Sequence, residues 1–139
     1  MRSIDIRVYI CKKSMKQTTI SQLRSLFHKL KNSEGYFTIL SENNDSGIFC
    51  QLLNPGDQEP IRFEAVSHHF NDNINKNLES SFKSMGFDLM DGENYTKFIK
   101  LDSEGAIEKT VIEIVRIFEG IYGVGVDGEY GFEEEIEGL

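Results

Sequence analysis

No lysine or arginine occurs after Arg116. Residues 1–116 hold sixteen acids against all fifteen bases, a net of −1, and residues 117–139 hold seven acids, a net of −7. Nearly all of the formal charge of −8 therefore lies in the last segment. This distribution argues against a nucleic-acid partner, because phosphate backbones are held by Lys and Arg that release counterions. It predicts a basic protein partner or none.

Cysteine is scarce as well. Cys11 and Cys50 match no metal or redox spacing, and each lies in a strand-like stretch where a buried thiol is expected. No apolar run approaches the length of a membrane span. The start, "MRSIDIRVYICKKS", alternates where a secretory signal would run continuously, so the expected location is the cytoplasm. Met15 is an alternative start. Neither Ser nor Cys sits in a nucleophile elbow, and His28, His68 and His69 have no further ligands spaced to join them. The reading is a protein without catalytic chemistry, metal or cofactor.

One glycine pattern invites a nucleotide. Gly123, Gly125 and Gly128 fit G-x-G-x-x-G, which cradles phosphate only where it joins a strand to a following helix. Here the order is reversed. Ile107, Val111, Ile114, Phe118 and Ile121 place a helix before the glycines, so Gly123 reads as its stop.

Along the chain, Ile4, Ile6, Val8 and Ile10 alternate with Asp5, Arg7 and Tyr9, which predicts an N-terminal strand of the edge type. Thr19 and Gln22 form a capping box opening a helix with Ile20, Leu23, Phe27 and Leu30 on one face, stopped at Gly35. Segments 36–41, 47–53 and 60–66 read as a meander, and in the third Ile61, Phe63 and Ala65 oppose Arg62 and Glu64. Residues 71–73 can cap a second helix with Ile74, Leu78, Phe82 and Met85, ending at Gly86. A second hairpin follows, and Asp102 or Ser103 opens the last helix. The fold class is α+β: an antiparallel sheet with helices packed on one face, in the order α-β-β-β-α-β-β-α, preceded by the N-terminal strand. This domain is expected over 1–125, with an acidic C-terminal tail over 126–139.

That order, with "FEAVSHHF" at 63–70, Met85-Gly86-Phe87, Asn94-Tyr95 and the helix running into "IYGVG", resembles type III secretion chaperones and the related TY-Chap and YbjN-type domains over about residues 36–125. The resemblance implies a small acidic protein, a homodimer in many such chaperones, that binds another polypeptide.

Within the tail, Tyr130, Phe132, Ile136 and Leu139 interleave with acids. Three readings stand: a solvated end, a cover for the protein's own core edge, or a docking segment. On the docking reading Asp127, Glu129, Tyr130, Phe132, Glu133, Glu134, Glu135 and Glu137 contact the partner, with the two aromatics as anchors and the carboxylates as steering charges. The function expected is that of an immunity protein neutralising a basic, nuclease-like toxin, since localised acidity suits electrostatic capture. A chaperone that holds an effector and an orphan regulatory binding domain are the alternatives.

Overall fold

The computed structural model describes residues 15–41, 47–72, 74–89, 93–123 and 129–136. The expected N-terminal strand and Cys11 lie outside them. Helix α1 covers Gln17–Lys31, and its Leu23, Leu26, Phe27 and Leu30 are buried at helical spacing. Extended Lys16 precedes it with no side-chain cap, so Thr19 falls inside the first turn and the expected capping box does not open the helix. His28, Lys29 and Lys31 occupy the last turn, where the helix dipole favours cations.

Strands β1 (Gly35–Ser41), β2 (Phe49–Asn54) and β3 (Ile61–Ala65) form the antiparallel meander. Gly35 does not stop α1, which ends at Asn32; it begins β1 at φ +146°. A 3₁₀ turn at Lys76–Leu78, capped by the Asn75 side chain, leads into the short helix α2 (Glu79–Ser84). Asn75 thus supplies the cap expected from residues 71–73. Gly86, at φ +91°, ends this element. Strands β4 (Asp88–Leu89) and β5 (Tyr95–Ile99) pair antiparallel, and β5 returns beside β3. Helix α3 (Glu104–Arg116) opens on Ser103, whose hydroxyl accepts from the Ala106 N–H at 3.1 Å. A π-turn over Ile117–Ile121 extends it, and Gly123 follows at φ +68°.

Residues 130–136, read in the sequence as tail, form β6 (Tyr130–Ile136). It pairs antiparallel with β1 along its whole length, giving the order β4-β5-β3-β2-β1-β6. The fold is α+β: among the described residues, one antiparallel six-stranded sheet with three helices.

One sheet face carries Phe37, Ile39, Cys50, Leu52, Phe63, Ala65 and Tyr95, all buried against Leu23, Phe27, Ile107, Ile114 and Phe118 of the helical layer. Phe82 of α2 stacks on Tyr95 with ring centroids 4.1 Å apart, which brings α2 to the same face. Lys97 also points to this face, where its ammonium meets Glu113 of α3 at 3.0 Å and the Met85 carbonyl at 2.9 Å and lies 4.8 Å from the Phe87 ring centroid. Arg24–Glu108 and His28–Glu104, both at 2.8 Å, close the seam between α1 and α3.

Candidate partner-binding surface

Strand alternation sends the acids of β6 to two different places. Ile39 pairs with Phe132 and Ser41 with Tyr130, so Tyr130, Phe132, Glu134 and Ile136 share the helix side of the sheet. Tyr130 and Phe132 are half-buried and pack on the core, the former edge-on against Phe118 at 5.1 Å between centroids. Burial pushes the Tyr130 hydroxyl up to about 12, with the nearby Glu119 charge adding to it. The anchoring contacts expected of these two rings are therefore used by the protein itself. Of the three tail readings, covering the core edge describes Tyr130, Phe132 and Ile136.

Glu134, on the helix side, accepts from Lys29 at 3.2 Å, and Glu129, just before the strand, accepts from Lys16 at 3.0 Å. Glu133 and Glu135 project from the opposite, open face, exposed and without an ion pair among the described residues. Asp127 and Glu137 lie outside the described residues. The structure thus separates the expected acidic cluster: two carboxylates tie β6 to α1, and two stand on the open face.

The open face has apolar groups that the sequence reading did not single out. Register places Glu135, Tyr36, Leu53, Arg62 and Phe98 in one cross-strand row, and Glu133, Thr38, Gln51, Glu64, Thr96 and Asp88 in the next. No described helix crosses this face. Tyr36 and Leu53 are half-buried, while Phe98 is 64 % exposed. The available signal was alternation in "YTKFI": with Tyr95 and Ile99 inward, Lys97 must be inward and Phe98 outward. Arg62 is the one base in these two rows, and its guanidinium lies 3.3 Å from Glu64 and 3.9 Å from Glu93. The face is consequently acidic, with Glu133 and Glu135 at one end and Asp88 at the other. A groove of about 350 Å³ runs beside Phe98, bounded by Arg62, Asp88, Glu93 and Thr96.

Other chemistry-bearing groups are dispersed. Burial raises the Cys50 thiol far above its ordinary range, so it stays protonated and unreactive. The rings of His68 and His69 touch each other at 4.4 Å between centroids, tilted by 33°. Residues 124–128 of the glycine pattern lie outside the described residues, and the next described element is β6 rather than a helix. No helix among the described residues is long and apolar enough to cross a membrane. No family model, curated protein or solved structure matches the chain.

Proposed function

We propose that this chain is a non-enzymatic, acidic protein-binding domain of the immunity kind, which neutralises a basic toxin in the cytoplasm by covering its active surface. The observation that carries this reading is the open sheet face. It combines an exposed Phe98, backed by Tyr36 and Leu53, with the exposed carboxylates Glu133 and Glu135, which have no ion pair among the described residues. An aromatic centre with charged margins is the composition of protein interfaces, where desolvated rings carry affinity and rim charges steer encounter. Nuclease toxins suit such a face because they carry basic clefts to hold phosphate.

The test is to express the product of the adjacent gene alone and together with this chain. Growth arrest relieved by co-expression, and relieved less by Phe98→Ala, supports the reading. An adjacent product that is harmless and is exported with the help of this chain overturns it in favour of an effector chaperone, the role implied by the resemblance to secretion chaperones. One observation favours that second reading: β6 is the outermost strand among the described residues, and an extended effector segment pairing there would use its outward backbone groups.

A further inference from the structure

The ridge of α3 that turns away from the sheet carries a charge order that fits its own reverse. Its exposed residues are Gly105, Lys109, Ile112 and Arg116, whereas Ile107, Val111 and Ile114 are buried on the sheet side. Ile112 is 53 % exposed, and grooves of about 340 and 420 Å³ flank it, one walled by Ile20 and Val115 and the other by Gly105 and Lys109. One helical turn before Ile112 stands Glu108, and one turn after it stands Arg116. Glu108 is half-buried and holds Arg24, while Arg116 has no ion pair among the described residues.

We propose that this ridge is a contact between two copies of the chain, packed antiparallel with a two-fold axis through Ile112. A two-fold contact is self-complementary, so whatever one residue meets, its counterpart meets in return. Positions equally far from the axis on either side face each other. Ile112 then lies on Ile112, Glu108 meets Arg116 of the other copy twice, and Lys109 lies over Val115, one turn from Glu119. No like charges are set opposite each other. The aliphatic stem of Lys109 closes over the groove walled by Ile20 and Val115, with its ammonium at the rim. A parallel pair in register would instead set Arg116 on Arg116 and Glu108 on Glu108, which repulsion opposes.

The contact is small. From Glu104 to Ile121 the helix and its π-turn run about 27 Å, and their outward apolar groups are Ile112 and Val115 with Ile20 beside them. Such a surface falls short of a standard interface, so the dimer is weak and half-formed at about 0.1 mM. It lies on the helix side, away from the open sheet face, so it leaves Phe98 free in both copies and does not depend on a toxin. A toxin seated on Ile112 would compete with it.

The experiment is sedimentation equilibrium of the full chain from about 10 µM to 1 mM, at low and high salt. The mass is expected to rise from one chain toward two, with weaker association at high salt because two ion pairs are screened. Arg116→Glu sets an acid against Glu108 twice and should weaken association by about ten-fold or more. Its urea midpoint should stay that of the parent, because Arg116 is exposed and without an ion pair among the described residues. Glu108→Lys should weaken association in the same way, and an equal mixture of the two variants should associate as tightly as the unmodified chain, since the reversed charges then face each other. An unmodified chain that remains single at 1 mM overturns the proposal. So does a dimer that Arg116→Glu leaves unchanged, or a mixture no tighter than either variant alone. Arg116→Glu against the unmodified chain decides even if Glu108→Lys, which also loses Arg24, folds poorly.

Discussion

Gly35 is where a single missing methyl group decides whether β6 can dock. Its φ of +146° is unfavourable for other residues, and a Cβ there would lie 2.2 Å from the Glu135 carbonyl oxygen and 2.6 Å from the Ile136 Cα. Both obstacles are backbone, so no side chain can swing aside. Gly35→Ala is expected to cost about 1–3 kcal/mol and to deprotect β6 amides before those of β2 and β3. A urea midpoint equal to that of the parent would show that the strands are not in close contact at Gly35. Glu119 makes a second residue-scale case. Burial raises its carboxyl above the ordinary range, partly offset by the Met15 N–H that it accepts. An acid with a raised folded value contributes stability fully below its unfolded value, and that contribution is lost as pH rises through the folded value. Glu119→Gln stays neutral at every pH, so it should raise Tm relative to the parent at about pH 7 and change it little at about pH 3.5. An equal effect at both pH values would trace the change to the hydrogen bond and exclude the charge.

At the scale of elements, β6 belongs to the sheet, and this changes what its removal does. Deleting residues 126–139 strips Tyr130, Phe132 and Ile136 from the core and uncovers the flank of Phe118. The expected loss is roughly 3–6 kcal/mol, read from the urea midpoint, a large part of the stability of a domain this size. An unchanged midpoint would mean that the segment does not contribute to the sheet. The meander, the second hairpin and the Ser103-capped helix were legible because alternating or helical apolar spacing is bounded there by turn residues or a cap. β6 was not legible. "YGFEEEI" alternates only at Tyr130, Phe132 and Ile136, with Glu134 in the inward place between them, so charge masks the period. Glu134 is tolerated there because the strand lies at the sheet edge, where Lys29 reaches it at 3.2 Å. The open face was hidden for the converse reason. Lys97 and Phe98 reverse the usual inside and outside residues, and the partners of Lys97 on α3 and at Met85 are what allow it. Those partners come from tertiary packing, which no local pattern records.

At the scale of the whole molecule, charge and aromatic surface lie on the same side of the sheet but should act at different stages of binding. Glu133 and Glu135 are exposed and mutually close in sequence, so their field reaches a basic partner before contact and is screened by salt. Phe98 lies three strands away from β1 in the ladder order and gains only when water leaves the interface. Glu133→Gln with Glu135→Gln should slow association by about ten-fold at low salt, flatten its salt dependence and leave dissociation nearly unchanged. Phe98→Ala should leave association nearly unchanged and speed dissociation by about ten-fold or more. Tyr130→Ala with Phe132→Ala should act differently from both, lowering the urea midpoint because those rings pack on the core. The measurement is association and dissociation of the toxin identified by co-expression, at two salt concentrations. If the carboxylate pair alters dissociation alone, those acids are desolvated contacts and not steering charges. If Phe98→Ala alters neither rate, the partner does not sit on the open face, and the exposed Ile112 on α3 becomes the next surface to test.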